Sequence, residues 1–191
     1  MRLTVTGFGP FGVVRDNPSL ALALRLRDDP PCGWALAIRP LEVTYSAALG
    51  AVEEIVANPP DVLVELGVHG GDAVMRLELF GRRNVSDAPD NDGVVGSVSM
   101  FPPAADVLPS TLFPPGLAGQ IGRSSLIESE SAGAYLCNFW YYTTLALLPG
   151  VRCGFVHVPN SEFSRPDGAH MPLADQEELL RAILDEVRKG R

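Results

Sequence analysis

The sequence predicts a single-domain α/β protein, a three-layer α/β/α sandwich around a mostly parallel, mixed central sheet. Three observations carry that expectation. As far as Gly67, segments of strand and helix character alternate in the order β-α-β-α-β, the rhythm of crossover units whose strands lie parallel. Asp61-Val-Leu-Val-Glu-Leu-Gly67 is almost continuously apolar, as suits a strand covered by helices on both faces. A length of 191 residues is that of one domain with a substantial core, so residues 1–191 are read as one unit.

Taken in order, Arg2-Leu-Thr-Val-Thr6 is a short strand rich in β-branched residues. Gly7-Phe-Gly-Pro-Phe-Gly12 follows and fits G-x-G-x-x-G, so a dinucleotide site must be weighed. Pro10 sits inside that turn and Asn17-Pro18 delays the next helix, so no helix N-terminus directly follows the glycines to meet a pyrophosphate. About twenty residues on, Asp28-Asp29-Pro30-Pro31 is a turn rather than a strand ending in an acid. Nucleotide binding is therefore set aside.

Asn17 as N-cap with Pro18 at the first helical position starts a helix to about Arg27. Trp34 to Val43 alternates as a second strand, interrupted by Pro40. Thr44 caps a helix from about Tyr45 to Ala57, with Ala47, Leu49, Val52, Ile55 and Val56 as its apolar face, and Asn58-Pro59-Pro60 ends it. Beyond the Asp61–Gly67 strand, Ala73 to Phe80 reads as another, with Glu78 between Leu77 and Leu79. A carboxylate so flanked is costly to bury unless paired; an exposed edge position is the alternative. Asp90-Asn-Asp-Gly93 lacks the register and distal Glu of a calcium loop and reads as a turn. Gly93 to Pro115, rich in Pro, Gly and Ser around Val98-Ser-Met-Phe101, suggests a hairpin or a flap over a functional site, with exposed apolar residues open to subunit contacts. A short helix (116–124), a short strand (125–127) and an irregular loop (159–170) are expected further on. From Pro172 to Arg188, Leu179, Leu180, Ile183, Leu184 and Val187 recur at helical spacing, the mark of a helix packed on the sheet.

Composition narrows the function. A hydrophobic content of 46% argues for a packed globule, and a net charge of −8 argues against nucleic acid or an anionic membrane as partner, since both need a basic face. No basic segment followed by an apolar one opens the chain, and no apolar run reaches about 18 residues, so a soluble, cytoplasmic protein is expected. Three cysteines, Cys32, Cys137 and Cys153, are too few and too odd in number for a disulfide framework.

One of them stands out. The polar run Ser124 to Ser131 passes through Ala132-Gly-Ala134 into an apolar segment free of Gly and Pro until Pro149-Gly150, which reads as loop, helix and helix stop. Cys137 falls in the first turn, where free N–H groups and the helix dipole stabilise a thiolate. The competing reading is a core cysteine. A thiol nucleophile also needs a base. Of the three histidines, His157 ends the buried strand Val151–Pro159, at the end where open α/β sheets place ligands. A satisfied core histidine is the plainer alternative. Helix, turn and strand fit into the intervening chain and can bring the two together.

Ser131-Ala-Gly-Ala-Tyr-Leu-Cys-Asn138 followed by Gly154-Phe-Val-His-Val-Pro159 resembles the cysteine peptidase family of pyroglutamyl peptidase I. Thr6–Gly12 with Asn17-Pro18-Ser19 is similar to that family's opening, and so is Leu66-Gly-Val-His-Gly-Gly71 leading to Leu77-Glu78. The blocks occur in the family's order across nearly the whole chain. The resemblance implies a nucleophile at Cys137, a base at His157, and Glu78 orienting the imidazole. It implies that Phe8 and Phe11 sandwich a pyroglutamyl ring, although core packing would explain them too. It also puts Val68 and His69 at the lactam and Leu136 beside the substrate; spacing alone leaves His69 open as a rival base. By the same resemblance no metal or organic cofactor is needed, the partners are peptides with N-terminal pyroglutamate, and the protein is a homodimer or homotetramer. One departure stands out. Bacterial members usually have Asn-Asp-Ala-Arg-Ile-Pro-Asp-Asn after the glutamate strand; this chain has Asn84-Val-Ser-Asp-Ala-Pro-Asp-Asn91. The arginine has no direct equivalent, and Arg82 and Arg83 are the nearby candidates to replace it. Two rivals follow: a thiol amidase of altered acyl specificity, and a catalytically silent binding homologue.

Overall fold

The computed structural model describes residues 1–12, 14–165 and 167–190. In chain order its elements are β1 (Arg2–Phe8), α1 (Pro18–Asp28), β2 (Ala35–Leu41), α2 (Tyr45–Ala57), β3 (Val62–Val68), β4 (Met75–Glu78), β5 (Phe80–Arg82), β6 (Val107–Pro109), α3 (Leu117–Ile121), β7 (Leu126–Ser129), α4 (Leu136–Leu147), β8 (Arg152–Val158) and α5 (Leu173–Lys189). Six strands form one sheet in the order β2-β1-β3-β8-β4-β7, while β5 and β6 pair separately. Neighbours run parallel except β4, which is antiparallel to β8. The sheet is thus mostly parallel and mixed.

Strand alternation sorts side chains into two cores. Leu3, Val5, Val64, Leu66, Val156 and Val158 meet α1 and α5 on one face. Phe8, Leu63, Cys153 and Phe155 meet α2 and α4 on the other. The result is a three-layer α/β/α sandwich. Phe139, Trp140, Tyr141 and Tyr142 of α4 are all but completely buried. Each contributes on the order of 1.5–3 kcal/mol of burial, so α4 is firmly seated on the sheet.

Local chemistry sets the first crossover. The Asn17 side chain accepts from Ser19 N at 3.1 Å and donates through Nδ2 to the Gly9 carbonyl at 2.8 Å, while Ser19 Oγ accepts from Phe8 N at 3.1 Å. These bonds fold the β1–α1 loop back over the strand end. A Cβ on Gly7 would stand 2.5 Å from the Ser19 carbonyl oxygen, so glycine here serves helix–strand contact. β2 runs straight through Pro40, which is tolerated because β2 is an edge strand.

Three expectations need correction. The inward face of α2 is Tyr45, Ala48, Ala51, Val52 and Ile55, whereas Val56 is 48% exposed; the helix is rolled relative to the face drawn through Ala47, Leu49 and Val56. The single strand expected from Ala73 to Phe80 is two, because the chain leaves the main sheet after Glu78 and β5 pairs with β6. The segment Gly93–Pro115 does supply the β6 partner of β5, but no residue of it lines the main cavity described below. Its Phe101 packs edge-on against Phe139 and Tyr142 of α4 instead, so it covers the helix rather than a site. The Asp90–Gly93 turn, by contrast, is as expected: Asp90 Oδ1 accepts from Asp92 N and Val94 N, both at 2.9 Å.

Glu65 is the unusual core residue. It lies on β3 in register with Thr6 and Phe155 and is 0% exposed. Burial holds its carboxyl well above the usual range, and the Thr144 hydroxyl beside it offsets only part of that. The folded protein therefore keeps a proton that the unfolded chain releases from about pH 4.5. Stability is expected to fall as pH rises above that point, with a slope of up to about 1.4 kcal/mol per pH unit until Glu65 ionises in the fold. Glu65→Gln should remove this component, leaving a flatter pH dependence of the urea midpoint between pH 5 and 8. Parallel curves for the two proteins would mean that Glu65 is ionised in the native state.

Candidate active site

Cys137 is the second residue of α4, and Tyr135 at the N-cap makes no side-chain capping bond. The first-turn N–H groups thus have no intrahelical acceptor, and the positive end of the helix dipole lies at the thiol. β3 ends directly beneath. A Cβ on Gly67 would stand 2.7 Å from Cys137 Sγ and 2.6 Å from the Phe155 ring. Only glycine lets the sheet come this close to the sulfur.

His157 lies on β8 with its side chain toward α4, and it is 7% exposed. Its Nδ1 is 2.7 Å from Glu78 Oε1, and the Cys137 thiol is the other polar group near enough to raise its pKa. The β4–β8 register sets Arg76 opposite His157 and Glu78 opposite Phe155, so the Glu78 carboxylate reaches diagonally across the ladder. Tyr141 Oη donates to the Glu78 carbonyl at 2.9 Å, tying β4 to α4. Burial by itself lowers the pKa of His157. Interaction with Cys137 and then with Glu78 outweighs it and raises the value to about 9. The ring is an imidazolium at neutral pH.

Cys137 and His157 face a cavity of about 180 Å³. That is below the roughly 300–1,000 Å³ of drug-sized sites, room for one small ring rather than a length of peptide. Of the residues singled out in the sequence, Phe8, Phe11, Val68, Leu136, Cys137 and His157 line it. His69 does not. Its Nε2 lies 2.8 Å from the Val74 carbonyl, and burial lowers its pKa. Its ring is engaged by Val74, and His157 is the histidine that lines the cavity together with Cys137.

Six further lining residues were missed: Asn17, Val43, and the run Ala132-Gly-Ala-Tyr135. The small side chains just before the cysteine helix were a legible signal for the last four. Asn17 was read as a cap, and it is one; its wall position depends on the loop fold. Loop 84–91 braces the cavity from outside. Tyr135 Oη donates to the Pro89 carbonyl at 3.0 Å, and Asn91 Nδ2 donates to the Pro10 carbonyl at 3.0 Å. Neither Arg82 nor Arg83 lines the cavity: the Arg82 guanidinium bonds the Glu130 carbonyl at 3.1 Å, and Arg83 pairs through its backbone with Asp106. Asn138, beside the cysteine, donates to the Arg82 and Asn84 carbonyls at 2.8 and 3.0 Å and fixes the chain leaving Glu78.

The other thiols are elsewhere. Cys153 is 0% exposed in the core, where burial and then Glu65 push its pKa far up. Cys32 is exposed on the α1–β2 connection, at the opposite end of the strands. Among the described residues, no group of three or more His, Cys, Asp or Glu side chains could hold a metal ion, and no helix is long and apolar enough to cross a membrane.

Known proteins are similar to this chain in sequence and architecture. The profile of the family described as pyroglutamyl peptidase matches residues 1–164. The chain is 32% identical to the pyrrolidone-carboxylate peptidase of Streptomyces coelicolor, over 96% of this chain and 90% of that protein. It is 31% identical to the enzyme of the same name from Clavibacter michiganensis, with the same coverage of both. The crystal structure of the pyrrolidone carboxyl peptidase of Fervidobacterium islandicum superposes with a TM-score of 0.90 at 28% identity, over 99% of each chain. Matched by the family profile over most of its length and by relatives almost end to end, this chain belongs to the pyroglutamyl peptidase family.

Proposed function

We propose that the protein is a cysteine exopeptidase that removes N-terminal pyroglutamate from peptides, with Cys137 as nucleophile, His157 as general base and acid, and Glu78 as the orienting carboxylate. One observation carries the reading: His157 lies between the Cys137 thiol and the Glu78 carboxylate, 2.7 Å from the latter, at the wall of a small apolar cavity. An imidazolium beside a cysteine is the partner of a thiolate nucleophile.

The sulfur attacks the pyroglutamyl carbonyl carbon and forms the C–S bond. The first-turn N–H groups of α4 face the developing oxyanion. As the C–N bond breaks, His157 gives its proton to the leaving amine. Water then attacks the thioester, His157 takes its proton, and pyroglutamate leaves as the thiolate is restored. Glu78 holds Nδ1–H throughout, so the other ring nitrogen faces the sulfur.

The cavity also explains selection. Among the described residues no carboxylate lines it, and its charged members are the Cys137 thiolate and the His157 imidazolium, which are already paired with each other. An ordinary N-terminus would bury an ammonium there with no carboxylate to pair it, the thiolate being matched by His157. A neutral lactam between Phe8 and Phe11 meets no such penalty. The test is release of naphthylamine from pyroglutamyl-β-naphthylamide against alanyl-β-naphthylamide. Turnover of the first at least about 100-fold above the second is expected, the 2.7 kcal/mol scale of an unpaired buried charge. No turnover by the folded, reduced protein would overturn the assignment, and comparable turnover of both would make it a broader thiol amidase.

A further inference from the structure

His69 follows β3 directly and has no part in the chemistry above, yet its contacts converge on the catalytic groups. Its backbone N–H donates to the Val158 carbonyl at 2.9 Å, next to His157 on β8. Its ring stands edge-on to the His157 ring, with centroids 6.1 Å apart and planes at 86°. Its Nε2 is 2.8 Å from the Val74 carbonyl. A carbonyl only accepts, so Nε2 carries a proton, while Nδ1 has no hydrogen-bond partner among the described residues. Val74 immediately precedes β4, the strand that carries Glu78. The side chain is only 10% exposed.

The surroundings of this ring lower its pKa and so favour the neutral form. Burial disfavours the imidazolium first; the Val74 carbonyl favours it, Arg76 and His157 oppose it, and Asp72 favours it weakly. Asp72 is committed elsewhere, accepting from Arg76 Nη2 through both oxygens at 2.9 Å, while its nearer oxygen is 3.8 Å from His69 Nδ1.

We propose that His69 is a positioning residue: it clamps the β3–β4 turn through Val74 and braces the His157 ring, so that the β4 and β8 strands hold Glu78, His157 and Cys137 in line. The inference rests on the peptidase reading above. Gly67 under the sulfur and Val158 beside His157 are its neighbours in the chain and in the ladder, so displacement here reaches all three groups at once.

Two variants separate the clamp from mere bulk. His69→Phe keeps a ring against His157 and loses the donor. His69→Gln keeps a donor of similar reach and loses the ring. On pyroglutamyl-β-naphthylamide, His69→Phe is expected to lower kcat about 10–100-fold, the scale of a sub-ångström to 1 Å misplacement, with KM little changed. His69→Gln should recover most of that loss. A rise in KM at unchanged kcat would overturn the inference by making His69 a substrate contact, and so would wild-type kcat in His69→Phe. The wild-type protein supplies a check that does not depend on a variant's folding or on turnover. Nitrogen-15 NMR of labelled histidine should show His69 neutral and protonated at Nε2 at pH 7. A protonated ring, or the Nδ1–H tautomer, would sink the clamp even in an active enzyme, whereas absent turnover with the expected tautomer would count against the peptidase reading alone.

Discussion

Cys137→Ala is expected to abolish turnover of pyroglutamyl-β-naphthylamide, a loss of about 10⁵-fold or more in kcat, as when a nucleophile that works as a unit with its base is removed. No other thiol can stand in. Cys153 is sealed in the core beneath α4, and Cys32 is at the far end of the sheet. The substitution removes one sulfur at a half-buried position, so the fold and KM-level binding should survive, and a thermal melt alongside the assay confirms that the comparison is fair. Iodoacetamide offers a second readout. At pH 6 His157, with a pKa of about 9, is an imidazolium, and alkylation located by peptide mass at Cys137 should run ahead of that at Cys32 and match the loss of activity. Turnover that survived in Cys137→Ala would overturn the nucleophile outright. Cys153 would not replace it, because its thiol is buried and strongly disfavoured from ionising.

Much of this was legible in the chain because it is local. Asn17-Pro18 and Thr44 announce helix starts by cap chemistry within three residues, and both helices begin there. The C-terminal helix shows its buried stripe at Leu179, Leu180, Ile183, Leu184 and Val187 by period alone. Cys137 in a first turn follows from the small-residue run before it. What stayed hidden depends on partners far along the chain. Whether Glu78 is an exposed edge residue or a buried one is decided by the antiparallel register with β8, 79 residues away; family resemblance, not periodicity, suggested its partner. The roll of α2 is fixed by what it packs on, notably Phe139 against Tyr45. The same holds for His69 and Val68. Adjacent residues at a strand end point to opposite sides, so of the pair assigned to the pocket only Val68 lines it, and nothing in Gly67-Val-His-Gly-Gly71 says which. The flap failed for a related reason. Apolar residues in a Pro- and Gly-rich segment announce that something will be covered, and Phe101 covers α4.

The second large effect is expected at Glu78. Glu78→Gln should lower kcat about 10³–10⁴-fold with a small change in KM, the scale seen when a triad carboxylate becomes an amide. The volume is nearly conserved, and the Tyr141 bond to residue 78 goes to its backbone carbonyl, which the substitution leaves in place. What changes is the charge facing Nδ1. An amide can turn its NH₂ toward the ring and favour the tautomer that points a proton at the wrong atom, and it no longer stabilises the imidazolium. Burial then acts on His157 with less opposition, so its pKa should fall below the wild-type value of about 9. The sign is definite: the alkaline limb of the kcat/KM profile, which marks loss of the imidazolium, moves to lower pH in Glu78→Gln. A substitution that only loosened the fold would lower activity at every pH and leave the limb in place. Retention of activity within a few-fold, or an unmoved limb, would show that the carboxylate 2.7 Å from Nδ1 does not set the protonation of the base.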